Sequence, residues 1–161
     1  MKKKFFIGLF IVAAIGLFIF AGIVLKKNPP VQTQNETQNL QAPIEIPATG
    51  ILTYNEAVKS DKPLLVMFYV DWCTYCRRFM PLFGALSVYY KDNFTFAVVN
   101  CDLPENQEII QKYPVSGYPS LYVIDKKYDF DYIVNHAAFI EKNVMDRELQ
   151  KYLKLREKLD K

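Results

Sequence analysis

Lys62-Pro63-Leu64-Leu65-Val66-Met67-Phe68-Tyr69-Val70-Asp71-Trp72-Cys73-Thr74-Tyr75-Cys76 is the stretch from which the rest of the chain can be read. Leu64 to Val70 is an unbroken apolar run. A strand with one wet face would alternate, so this run predicts a strand buried on both faces. The period then changes. From Cys73 to about Tyr90, Phe79, Leu82, Phe83, Leu86 and Tyr90 recur at helical spacing. A buried strand therefore hands over to a helix, and Cys73 and Cys76 fall in that helix's first turn.

Two thiols three residues apart at a helix start can close a disulfide. The free amides and the dipole there favour a thiolate on the first of them. Arg77 and Arg78 add positive charge nearby, and Asp71 opposes them. A thiolate is both the better nucleophile and the better leaving group in disulfide exchange. Cys73 is the candidate nucleophile, attacking a partner's disulfide, and Cys76 resolves the mixed disulfide. The bland alternatives are weaker. Zinc takes about four ligands, and outside the pair only Cys101 and His136 remain. Haem attachment would need a histidine where Arg77 stands. A purely structural bridge across three residues constrains little chain.

The elements around this core alternate. Thr53 with Glu56 predicts a capped short helix over Thr53–Val58, and Ser60-Asp61-Lys62-Pro63 breaks it. Phe94–Asn100 reads as a second strand, and Asp102-Leu103-Pro104 as the cap of a short helix running to Lys112. Tyr113–Pro119 is a turn-rich loop before a third strand, Ser120–Ile124. A polar turn at Asp125–Lys127 leads to a fourth strand near 129–135. The last helix, about Met145–Leu159, places Leu149, Tyr152, Leu153 and Leu155 on its apolar side. Strands alternating with helices predict a small three-layer α/β domain with a mixed sheet. Pro81 falls inside the helix that carries the cysteines and should kink it.

With these elements in place, KPLLVMFYVDWCTYC over 62–76 resembles the thioredoxin superfamily, and its Asp-Trp-Cys its exported thiol:disulfide interchange branches. Pro81, five residues after the second cysteine, matches the family's kinking proline. Gly117-Tyr118-Pro119 matches its loop with a cis proline facing the disulfide. The resemblance, over about Thr53 to Leu159, implies a thioredoxin fold, a redox-active Cys73–Cys76 disulfide, and no metal or other cofactor. It also implies substrate contacts at Trp72, Thr74, Tyr75, Gly117, Tyr118 and Pro119, with the backbone of Tyr118 pairing with substrate. Trp72 would shield the disulfide, and Tyr75 and Tyr118 would form an apolar docking surface. Two departures stand out. Met67 replaces the buried acid common in thioredoxins, and Val98 replaces the lysine often paired with it. Losing both leaves no lone buried charge, but it argues against a fast, general-purpose reductase. Thr74-Tyr75 is neither the Gly-Pro of cytosolic thioredoxins nor the Pro-His of strong oxidants. A tyrosine there resembles exported isomerases and reductases, so the direction of electron flow stays open. Cys101 reads as a small core residue, and His136 as a surface or packing histidine.

The remaining sequence sets the address. Phe5–Leu25 is 21 uncharged residues, 18 of them hydrophobic and the rest glycine. As a helix it would be about 31 Å long, enough to span a bilayer core. Lys2, Lys3 and Lys4 precede it and Lys26 and Lys27 follow, which weakly favours a cytoplasmic N-terminus and an exported remainder. Residues 1–27 are thus expected as a transmembrane anchor with basic flanks, with a cleaved signal peptide, and a secreted product, as the alternative. Residues 28–49, rich in Gln, Asn, Thr and Pro, read as an extended solvated tether, and 50–161 as the folded domain. The 161 residues carry a formal charge of +3. From Asn28 onward 15 basic side chains face 17 acidic ones, so the positive charge belongs to the anchor and a nucleic-acid partner is not expected. The expected protein is a single-pass membrane oxidoreductase with its domain on the extracytoplasmic side, acting as a reductant, with an oxidant or isomerase using the same site and a non-catalytic thioredoxin-like binding module as the alternatives. Its partners would be exported proteins with disulfides and a membrane electron donor.

Overall fold

The uncharged run around Phe68 becomes the middle of a five-stranded sheet. The computed structural model describes residues 42–135, 139 and 142–161. The expected membrane span over 5–25 and His136 lie outside the described residues. Among those described, no helix is long and apolar enough to cross a membrane.

The elements are β1 (Leu52–Thr53), α1 (Tyr54–Ala57), β2 (Leu64–Tyr69), α2 (Thr74–Tyr89), β3 (Thr95–Asn100), a 3-10 turn (Pro104–Asn106), α3 (Gln107–Lys112), β4 (Ser120–Asp125), β5 (Phe130–Ile133) and α4 (Lys142–Leu159). Sheet order is β1-β3-β2-β4-β5. β2 runs parallel to β3 and antiparallel to β4, and every residue of it is buried. Ring contacts identify the two covering layers. On one face Phe68 meets Tyr113, at the end of α3, at 5.8 Å, and Tyr113 in turn meets Tyr54 of α1 at 6.5 Å. On the other, Phe96 meets Phe83 of α2 at 5.2 Å, while the neighbouring Phe94 meets Tyr152 of α4 at 5.6 Å. This is the expected three-layer mixed-sheet architecture.

The capping box also forms as expected, with Glu56 Oε2 accepting from the backbone amide and the hydroxyl of Thr53 at 3.0 and 2.6 Å. Four local expectations change. β1, two residues long and paired to Ala97 and Val98, is too short to leave a pattern. Asp102 does not cap the helix after it, because the turn's N-cap is Leu103, without a side-chain bond. Leu155 is 45% exposed rather than packed. The inward row runs Met145, Leu149, Tyr152 and then Arg156, whose Nε reaches the buried carboxylate of Asp125 at 2.8 Å.

The fourth change concerns residues 42–49, expected as the end of the solvated tether. They lie along α2 instead. Ile44 is buried, the Ser87 hydroxyl bonds to Thr49 Oγ1 at 2.7 Å, and Pro47 fills the space beside Gly84. A Cβ at Gly84 would stand 2.9 Å from Pro47 Cγ. Ile44, Ile46 and Pro47 supply enough apolar surface to pack, which the polar composition of the tether as a whole conceals. Gly84→Val should lower stability by ~1–3 kcal/mol through overpacking, more than the few tenths a better helix former returns. Urea unfolding checks this, and an unchanged midpoint would mean that the strap lifts off at no cost.

Candidate active site

The turn that ends β2 and starts α2 sets the chemistry. Cys73 is the N-cap of α2, in an extended backbone conformation. Helix geometry then brings Cys76 back over it, with a Cα separation of 5.2 Å across the Cys73–Cys76 disulfide. The amide of Cys76, one of the amides that a helix start leaves without a helical partner, donates to Cys73 Sγ at 3.0 Å. That donor and the helix dipole stabilise a thiolate on Cys73 once the bridge is open. Cys76 is fully buried, whereas Cys73 retains 6% of its surface. Of the two cysteines, only Cys73 keeps any exposed surface.

The loop before Cys73 is tied down on both sides. Asp71 accepts from the amide of Ile44 at 2.8 Å and from Asn100 Nδ2 at 2.9 Å. Arg77 donates to the backbone carbonyls of Ala42 and Asp71, so its guanidinium fastens strap and loop together. Arg78 is exposed. Asp102 turns toward the site, accepting from the indole Nε1 of Trp72 and from the amide of Asp71, both at 3.3 Å. Asp102 and Asn100 were not legible as site residues, because their roles depend on β3 lying beside β2.

Trp72 and Tyr75 are 61% and 70% exposed, a large share for aromatic rings. Thr74 is exposed beside them. Trp72 meets Tyr118 edge to face at 6.0 Å, which joins the cysteine loop to the 117–119 loop. The Tyr118–Pro119 peptide is cis. Ser120 Oγ donates to the Gly117 carbonyl at 2.7 Å and braces that loop from β4. Trp72, the cysteines and Tyr118 thus form one constellation.

Cys101 is buried and free, but it is more than core filling. Its thiol is a hydrogen-bond neighbour of the Tyr118 hydroxyl, and its amide donates to the Tyr69 carbonyl at 2.7 Å. Burial pushes this thiol above its ordinary range, with the Tyr118 and backbone hydrogen bonds opposing it. Cys101 is 9% exposed, so access alone does not distinguish it from Cys73; what does is the burial that keeps the Cys101 thiol protonated. In the reduced protein at neutral pH, iodoacetamide should alkylate Cys73 and spare Cys101 until the chain unfolds, as read by peptide mass. Rapid labelling of Cys101 in the folded state would contradict the buried, protonated thiol described here.

Where thioredoxins often carry a buried acid and lysine, Met67 and Val98 stand directly opposite one another in the β2–β3 register. Met67 is fully buried. Neither Met67 nor Val98 carries a group that can exchange a proton. Among the described residues, no group of three His, Cys, Asp or Glu side chains is placed to hold a metal.

Comparison with known proteins places this constellation. The chain is 37% identical over 68 residues to protein disulfide-isomerase A5 of Bos taurus, a match covering 42% of this chain and 13% of that one. It is 32% identical over 80 residues to the chloroplastic thioredoxin-like protein HCF164 of Oryza sativa, covering 50% and 30%. The matches thus span under a third of either relative. The Trx4 domain of ERdj5 shares the fold, with a TM-score of 0.51 at 22% identity, covering 68% of this chain and 97% of that one. The thioredoxin family profile matches residues 48–149, which include both cysteines, the strap's last residues and the cis-proline loop, and the chain belongs to the thioredoxin family.

Proposed function

We propose that this chain is a membrane-anchored thiol–disulfide oxidoreductase that reduces disulfides of exported proteins. The observation that carries the reading is the Cys73–Cys76 disulfide at the N-terminus of α2, with Cys76 fully buried and Cys73 at the edge of the core, in a chain of the thioredoxin family. The reduced pair starts the cycle. Cys73 thiolate attacks one sulfur of a substrate disulfide, forming a mixed disulfide and releasing the other sulfur as a thiolate, which takes up a proton. Cys76, losing its proton, attacks Cys73 Sγ and expels the second substrate sulfur. Two electrons and two protons have passed to the substrate, and the Cys73–Cys76 bridge has formed. No metal or organic cofactor takes part.

Trp72, Thr74, Tyr75, Gly117, Tyr118 and Pro119 form the surface on which the substrate chain lies, with the Tyr118 backbone as its hydrogen-bonding edge. The apolar, lysine-flanked segment 5–25 supports an anchor, and the lysines before it support an extracytoplasmic domain. In that oxidising compartment the dithiol needs recharging, for which we propose a membrane protein electron donor. The isomerase relatives favour a second reading, in which the same site shuffles disulfides.

A Cys76→Ser variant expressed in cells cannot release the mixed disulfide, so partners stay attached to Cys73. Recovery of exported proteins, freed by dithiothreitol, is the expected result. Recovery of none, or only of cytosolic proteins, would refute the reading.

A further inference from the structure

A second surface lies away from the disulfide. The register of β4 and β5 pairs Phe130 with Asp125, at the opposite end of β4 from Ser120 and the cis proline. There β5 ends the sheet, and a groove of about 630 Å³ opens between it and α4. Its floor is aromatic. Phe130 stacks on Tyr152 at 6.3 Å and meets Tyr132 at 5.7 Å, and the exposed Leu155 continues the apolar surface.

One wall is cationic. Arg147, Lys151, Lys154 and Lys158 follow one another along α4 and line the groove, against a single acidic neighbour, Glu148. The intervals of four, three and four residues put them in one stripe. All four are exposed, and none forms an ion pair among the described residues, whereas Arg156, Lys127 and Lys161 do. On this helix Arg156 is engaged by Asp125, while the stripe has no ion-pair partner among the described residues.

We propose that the groove between β5 and α4 docks an extended, acidic segment of polypeptide whose residues alternate between carboxylate and apolar. The stripe is about 16 Å long at helical rise, the span of about five extended residues. Alternate side chains of an extended peptide point to opposite sides, so one set meets the cationic wall and the other the aromatic floor. A membrane surface fits less well. Its apolar partner would have to project, yet Tyr152 is buried and Tyr132 half-buried, sunk within a concavity. The surface shares no residue with the disulfide site, so a partner could hold the domain while Cys73 stays open to exchange.

The test uses the full chain in detergent and a fluorescein-labelled peptide alternating valine and glutamate, read by anisotropy. The glutamate peptide should bind and its lysine counterpart should not. Lys151→Glu with Lys154→Glu should weaken binding at least about tenfold, with the circular dichroism unchanged. Cys73→Ser with Cys76→Ser should leave binding as it was. Absence of binding, or affinity unmoved by the charge reversals, overturns the proposal. Loss of binding in the cysteine variant also overturns it, because the peptide would then sit on the disulfide face. So does binding of phosphatidylglycerol vesicles through the same lysines without binding of the peptide, which would make the stripe a lipid contact.

Discussion

Cys73→Ser should abolish disulfide reduction down to the uncatalysed rate, while Cys76→Ser should abolish turnover but leave the first attack intact. The asymmetry follows from position. Cys73 Sγ caps the helix and accepts the Cys76 amide, and Cys73 is the cysteine of the pair with surface left. Cys76 Sγ is sealed in the core and can meet only a sulfur already carried by Cys73. In a single-turnover assay with a disulfide-linked fluorescent peptide, Cys76→Ser should release one thiol and stop as a stable adduct, seen as added mass. Thiol release and adduct formation by Cys73→Ser to the same extent would show that the cysteines are interchangeable and that the helix start does not select the nucleophile.

Met67→Asp should be the most destabilising of the single substitutions considered. Met67 is fully buried at the centre of the sheet, opposite Val98, and no cation faces it across that register. A carboxyl there is desolvated, which raises its folded-state pKa well above the unfolded value of about 3.9. Below pH ~3.9 the group is protonated in both states, and only the cost of an imperfectly bonded polar group remains. Above that pH the unfolded chain ionises while the folded one resists. Stability then falls by about 1.4 kcal/mol for each pH unit climbed, until the raised folded pKa is passed and the loss levels off. Against a total of about 5–15 kcal/mol for a domain, a loss of ~4 kcal/mol at neutral pH is large. Urea midpoints at pH 4 and pH 7, each compared with the parent, should differ far more at pH 7. An equal deficit at both values would mean that water reaches the site. Adding Val98→Lys should recover part of the neutral-pH loss by giving the carboxylate a partner.

Much of the fold was legible because its signals are local. The apolar run over Leu64–Val70 is short, unbroken and bounded by Pro63 and Asp71, the mark of a strand buried on both faces, and helical spacing begins where the cysteines do. Cys73 and Cys76 were legible for the same reason, from their spacing at the helix start, whereas Gly117-Tyr118-Pro119 came in only through the resemblance to the thioredoxin superfamily, since nothing local ties that loop to the disulfide. What stayed hidden depends on contacts between distant segments. Asp102 serves Trp72 only because β3 lies beside β2. Cys101 touches Tyr118 across the same strand end. Residues 42–49 carry a tether's composition, yet Ile44 and Pro47 find a groove along α2 that no local pattern announces. Counting apolar residues alone misplaces Leu155, because the buried Asp125 draws Arg156 into the inward row instead.

The direction of electron flow is the claim on which the proposed function turns, and the reduction potential of the Cys73–Cys76 couple tests it most directly. Equilibration of the purified chain with dithiothreitol or glutathione buffers, followed by trapping of free thiols, gives the value. A reductant of exported proteins requires a potential near that of thioredoxin, about −270 mV, whereas a value near the roughly −120 mV of a strong oxidant would contradict it.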